Sequence, residues 1–158
     1  MLPADSHSTS QRTAALIGIA RRAEKRAAME TLPESWITQQ SGVQGDSRGK
    51  PSRRQVTVLS KQAWETACAE VSSETQPWTI RRANLLIDGF DFSEQDVGKK
   101  ITIGELVLEV MIETDPCFRM DEQLDGLQAA LKPDWRGGVC CKVINDGFVR
   151  LGDTVEIN

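Results

Sequence analysis

Cys117 is the residue in this chain best placed for chemistry. It stands in Asp115-Pro116-Cys117-Phe118-Arg119-Met120, just past the longest run with strand character and just before a run with helix character. A thiol there can project from the rim of a sheet. A helix start and Arg119 favour the thiolate, whereas Asp115 and Asp121 oppose it. The alternative is a buried, inert cysteine, the usual fate of a free thiol. Spacing alone leaves the two even.

The other candidates for chemistry are weaker. Cys68 falls on the apolar face of a helix and reads as core. Cys140 and Cys141 are adjacent in a strand, so one faces in and the other out, and a disulfide between them would distort the strand. No Cys-x-x-Cys occurs, and the single histidine is His7, in a polar N-terminal segment. A His-bearing zinc site or a Ser-His-Asp triad would have to use it. Four cysteines are an even number, but the chain is not cysteine-dense and shows no export signal, so a disulfide framework is not expected.

Two basic segments suggest an anion site. Gly45-Asp46-Ser47-Arg48-Gly49-Lys50-Pro51 has three residues between its glycines and Pro51 after the lysine. A phosphate loop of hydrolysing nucleotide enzymes needs four, then Ser or Thr. Nucleotide hydrolysis is therefore excluded. Arg48, Lys50, Arg53 and Arg54 can still hold a phosphate through guanidinium forks and exposed amides, or can form a solvated basic loop. Arg81-Arg82 precedes Asn84. On an extended chain two adjacent arginines point to opposite sides, so at most one meets a given pocket. A buried Asn84 must satisfy its amide and would pin a loop.

These residues need elements to position them. The 158 residues suffice for one domain with its own core, and 39% hydrophobic with 27% charged residues is ordinary globular usage. No apolar run approaches the ~20 residues of a membrane helix. The longest, Ala14 to Ala20, is bounded by Arg12 and Arg21. The expectation is a soluble, cytoplasmic protein. Its net charge is −4, unevenly spread: residues 1–54 hold nine Lys/Arg against five Asp/Glu, and residues 55–158 ten against eighteen. The acidic whole argues against nucleic acid as a partner, while the basic first third suits a local anion site.

Residues 1–13 are expected to be a loose tail. Leu16, Ile17 and Ile19 then predict a strand towards Arg21. Regular structure between there and Pro51 should be brief, given its glycines and prolines. Gln55–Leu59 predicts a buried strand, and Ser60 caps a helix over 61–71 with Trp64, Ala67, Cys68 and Val71 on one face. Ala83–Ile87 is another strand, and Ile101–Glu113 two more about Gly104-Glu105. Asp121 is placed to cap a helix whose face is Leu124, Leu127 and Leu131. Val139–Ile144 and Phe148–Leu151 flank Asn145-Asp146-Gly147, a hairpin signal. Val155–Ile157 ends the chain. Many short strands with a few short helices predict a mainly β protein, closed or partly closed as a β-barrel, because closure removes exposed edges.

Taken together, residues 14–158 resemble a MOSC domain, the module also found at the C-terminus of molybdenum cofactor sulfurases. Four blocks carry the resemblance: GVQGDSRGKPSRRQVTVLSKQAWE from Gly42, RRANLLIDGFDF from Arg81, VGKKITIGELVLEV from Val97 with PCFRM at 116–120, and RGGVCCKVINDGFVRLGDTVEI from Arg136. It implies molybdenum cofactor (molybdopterin) as ligand. It also implies that Cys117 carries sulfur as a persulfide or ligates molybdenum. Arg48, Lys50, Arg53, Arg54, Arg82 and Asn84 would line the cofactor groove. Phe118, Met120 and Trp135 would limit water access or be core.

The sulfurases' pyridoxal-phosphate desulfurase domain has no counterpart in these residues, nor does the additional N-terminal β-barrel of the mitochondrial amidoxime-reducing proteins. A ferredoxin-type cysteine set is missing too. Desulfurase activity is thus not expected, and pyridoxal phosphate is only a family association. The resemblance implies either molybdenum-dependent reduction of N-hydroxylated compounds, fed by electron-donor proteins, or a sulfur or cofactor carrier for partner metalloenzymes. A barrel with a purely structural Cys117 is the third reading.

Overall fold

In the computed structural model, residues 12–72, 74 and 76–158 are described. His7 and most of the segment expected to be a tail lie outside them. The strands are β1 (Arg12–Arg21), β2 (Glu30–Thr31), β3 (Glu34–Thr38), β4 (Gly42–Val43), β5 (Val56–Ser60), β6 (Leu85–Asp88), β7 (Lys100–Ile103), β8 (Leu106–Glu113), β9 (Val139–Asn145), β10 (Gly147–Arg150) and β11 (Thr154–Ile157). The α-helices among the described residues are α1 (Lys61–Val71), α2 (Arg119–Gln123) and α3 (Leu127–Leu131).

Seven strands close into a barrel in the order β11-β7-β8-β9-β5-β6-β1, with β1 returning to β11 and β2 added beside β1. Closure needs a long strand shared by two neighbours. The ten-residue β1 supplies it: its first half pairs with β11 (Arg12↔Ile157 to Ala15↔Thr154), and Ala15 to Ile19 pair with β6 across a bulge at Leu16/Gly18. Alternation explains the inside. In β7 and β8, Ile101, Ile103, Leu106, Leu108 and Val110 are fully buried, while their neighbours in sequence are half-buried.

The pair β5–β6 is parallel, and a parallel pair needs a crossover element. That element is α1, which starts where the apolar spacing predicts, with Ser60 Oγ accepting the Ala63 N–H. Its buried face, Trp64, Ala67 and Cys68, joins Leu59, Leu86, Met120, Leu127 and Leu131 in a second apolar cluster outside the barrel. Among the described residues no helix is long and apolar enough to cross a membrane.

Three expectations need correction. The β9–β10 hairpin does not form. Both edges of β9 are taken, by β5 and by β8, so β10 turns away and pairs with β3. The Asn-Asp-Gly corner serves this departure: Asp146 Oδ1 accepts the Gln39 N–H at 2.7 Å. At Gly147 an added Cβ would sit 2.3 Å from Leu106 N, so only glycine passes. Second, the single helix after Asp121 is two short helices, broken at Leu124–Gly126, with Gly126 left-handed at φ 86°. Asp121 does not cap its own helix; its Oδ1 accepts the Gln128 N–H in the first turn of α3. Third, Arg81-Arg82 is not extended. Arg81 ends a 3-10 turn and Arg82 is left-handed at φ 68°.

Candidate functional site

A cavity of about 560 Å³ opens at one end of the barrel, and Cys117 is on its wall. Pieces far apart in sequence build it. The exit of β1 brings Arg22, the loop after β4 brings Ser47, Arg48 and Arg54, and β5 brings Thr57. The turn into β6 brings Arg81–Ala83. The end of β8 brings Thr114 and Asp115, and the start of β9 brings Gly137 and Cys140. Its volume lies within the range of small-molecule sites, but its walls are cationic. Six arginines and Lys25 face one carboxylate, Asp115.

Arg81 holds the cysteine's turn in place. Its side chain is buried, with Nε donating to Gly137 O at 3.1 Å and Nη2 to Thr114 O at 3.0 Å. These two bonds tie the end of β8 to the entry of β9, and the Pro116-Cys117 turn begins beside them. From the other side, Gln128 Nε2 donates to Pro116 O. Burial lowers the Arg81 pKa. The Cys140 and Cys117 sulfurs act the other way, since a thiolate there would be stabilised by the guanidinium. Cys140 Sγ also lies 3.1 Å from Thr114 Oγ1.

The loop that carries Arg48 and Arg54 is held from below by Gln55. This buried side chain donates from Nε2 to Gln39 O and Gly49 O, and its Oε1 accepts the Val143 N–H. All of its polar atoms are used. Gly49 must be glycine here: a Cβ would sit 1.5 Å from Ser41 O. The same loop is tied to β1 by the Ser47 N–H donating to Arg22 O and by Asp46 Oδ1 accepting the Arg22 N–H.

Arg22 is the most unusual member. It is 7% exposed, and its Nη1 is shut from solvent with no acceptor. Desolvation lowers its pKa, and Arg82, Arg48 and Arg119 lower it further, with Asp46 opposing. A buried donor without an acceptor costs ~1–3 kcal/mol, more when charged. Cationic crowding of this kind fits an anionic ligand that brings the missing acceptors.

The structure thus brings Cys117, Arg48, Arg54 and Arg82 to one cavity. Lys50 and Arg53 are exposed and are not among its lining residues. Nor is Asn84: it is buried, accepts from Thr57 N–H and Oγ1, and donates to Ala20 O, which ties β5 to β1. Phe118 does not shield the thiol by burial, being 64% exposed, whereas Met120 is buried and Trp135 packs on the barrel core. Of the four thiols only Cys117 is exposed. Sequence reasoning missed Arg22, Arg81 and Arg119 as cavity residues. An Arg-Arg pair directly after an apolar strand was the available signal for Arg22.

Among the described residues no three His, Cys, Asp or Glu cluster to hold a metal ion. A metal at Cys117 would therefore arrive already ligated. A soft thiol, a basic wall for a phosphate and the acceptor-less Arg22 fit a phosphorylated pterin that carries its own metal.

A family model described as MOSC domain matches residues 41–156. No curated protein matches the chain. Among solved structures, the YuaD protein from Bacillus subtilis superposes with a TM-score of 0.79 at 19% identity, covering 93% of this chain and 96% of that one. YiiM from Escherichia coli gives 0.66 at 16%, covering 91% and 69%. YiiM from Geobacillus stearothermophilus gives 0.66 at 14%, covering 93% and 75%. At such identities these likenesses speak for the fold alone.

Proposed function

Because this chain belongs to the MOSC domain family, whose members are associated with molybdenum cofactor, we propose that its basic cavity binds that cofactor beside Cys117. The observation that carries this reading is the pairing of the one exposed thiol with a cavity walled by six arginines, one of them lacking an acceptor. When bound, the cofactor supplies a molybdenum centre for two-electron chemistry.

The chain's own residues do the rest. Cys117 Sγ offers the soft donor. Arg81, fixed by two backbone carbonyls, keeps the Cys117 turn in register and places positive charge behind the sulfur. Arg22, Arg48, Arg54 and Arg82 receive the terminal phosphate. Reduction of an N-hydroxylated compound is the reaction class we assign, with electrons from a separate donor protein. A sulfur-carrying role is the second reading, favoured by the exposure of Cys117, which lets a partner reach Sγ.

Metal analysis and native mass spectrometry test the reading, using protein made in cofactor-competent cells. Molybdenum with a pterin, absent from Cys117→Ser, supports it. Turnover of an N-hydroxylated base with a chemical reductant then identifies the enzyme. A sulfur adduct on Cys117 without molybdenum identifies the carrier. A Cys117→Ser protein that keeps full loading and activity would make Cys117 structural and overturn both.

A further inference from the structure

The cavity continues past its arginines. A second lobe of about 320 Å³ adjoins the first, and Arg82, Arg119 and Met120 line both. Its remaining walls are Arg26, Phe118, Gln123 and one carboxylate, Glu122. Three observations there go beyond a site for one phosphate. The first is the count of cations: six arginines and a lysine in the larger lobe against a single carboxylate. A phosphate monoester offers three terminal oxygens as acceptors, and a diphosphate offers more, so more of these donors find a partner. The second is Arg22, more than nine-tenths buried, with Nη1 lacking any acceptor. The third is Phe118, 64% exposed next to the cysteine, which lines this lobe together with Arg26, Arg82, Arg119 and Glu122. A ring this exposed gains little from packing, but it offers a face on which a planar base can stack, in a lobe that also carries cations. Arg26 and Arg82 are both left-handed, at φ 69° and 68°, a strained backbone for arginine that aims two cations into this lobe.

We propose that the joined lobes bind a nucleoside diphosphate group: the diphosphate on Arg22, Arg48 and Arg82, and the base on Phe118. The group is either a free nucleotide or the nucleotide end of an extended pterin cofactor. This deepens the proposed site and rests on its taking a phosphorylated ligand, but not on metal or sulfur at Cys117. No hydrolysis is involved.

Calorimetry on the full chain at low salt tests it, with ADP, AMP and inorganic pyrophosphate as probes. ADP binds at least ~5-fold more tightly than pyrophosphate, the increment expected of one stacked base. It also binds at least ~5-fold more tightly than AMP, because a second phosphate engages further charge-assisted bonds. Phe118→Ala brings ADP down to the pyrophosphate level and leaves pyrophosphate unchanged; the exposed ring can be removed without loss of fold. Arg26→Gln weakens ADP, while Lys142→Ala, an exposed charge outside the site, leaves it within twofold. Mass spectrometry of ligand released from protein made in cofactor-competent cells separates the sources: a nucleotide mass means a free nucleotide, a pterin-nucleotide mass the extended cofactor. The proposal is overturned if ADP binds no better than pyrophosphate or AMP, or if Phe118→Ala changes nothing. Failure of the molybdenum reading looks different: no metal or sulfur on Cys117, with the ADP preference intact.

Discussion

The barrel interior and the basic cavity meet across one peptide bond of β9. Cys141 faces the interior, fully buried among Val56, Leu108 and Val110, and burial drives its pKa well up. Cys140 faces the cavity wall, against Thr114 and the Arg81 guanidinium. On one side apolar side chains fill space. On the other, charge is buried against the interest of stability, with Arg22 and Arg81 both held below their ordinary pKa by desolvation. Packing accounts for the interior, whereas the cavity keeps buried cations that cost the empty protein stability, which is what the proposed anion site requires.

The contrast can be broken most severely at Cys117. Cys117→Ser should abolish function yet shift stability by ~1 kcal/mol or less, since the residue is exposed and outside either core. Loss of fold, read by circular dichroism and urea unfolding, would place it with the interior instead. On the interior side, Leu108→Ala should cost ~2–5 kcal/mol by opening a cavity in the barrel. Its urea midpoint reports this. A change below ~1 kcal/mol would mean the interior is looser than its burial implies.

A smaller effect sharpens the boundary of the cavity. Arg54→Ala should weaken a phosphorylated ligand by ~1.5–3 kcal/mol, about tenfold or more, by removing a charge-assisted hydrogen bond. Arg53→Ala, next door but outside the lining, should do much less. Equal losses in the two titrations would erase the distinction between wall and surface. Alkylation of the folded protein should modify Cys117 first and Cys68 and Cys141 last, as those two are buried with raised pKa values. Earlier labelling of Cys68, seen by peptide mapping, would contradict this.

The smallest effect is at Glu113. Burial, then Asp115, raises its pKa. The folded state therefore holds this proton more tightly than the unfolded chain, and stability falls as pH rises from the unfolded value through the raised one. Glu113→Gln should stabilise by ~0.5 kcal/mol or less at pH 7 and by nothing below about pH 4. Urea midpoints at the two pH values check the sign.

What was legible in the sequence was local. The Ser60 cap, the Trp64-Ala67-Cys68 face and the alternation of β7 and β8 are set by neighbours a few residues apart, and all stand as read. The position of Cys117 beyond β8 followed from the same periodicity. Pairing was less legible because it is decided by which edges are already occupied. Nothing in Asp146-Gly147 says that β5 and β8 have taken both sides of β9. The cavity was half legible for a related reason. Arg48 and Arg54 advertise themselves in a glycine-rich loop, but Arg81 enters through the left-handed turn at Arg82. Arg22 enters because β1 happens to end beside that loop. Asn84 was correctly read as needing partners, and the structure shows those partners to be backbone groups and the Thr57 hydroxyl.

The pairing of β1 with β11 sets a schedule for folding. Arg12 meets Ile157, so the last seam joins residues separated by nearly the whole described chain. Contacts of such high sequence separation demand loop closure before they return any stabilisation, which makes for slow, high-contact-order folding. During synthesis the open sheet would expose the edge of β1 until residues 154–157 leave the ribosome. Every arginine of the cavity is made earlier, so a nascent chain could hold an anion before its barrel shuts, and the ligand would then act on the rate of folding as well as on the stability of the product.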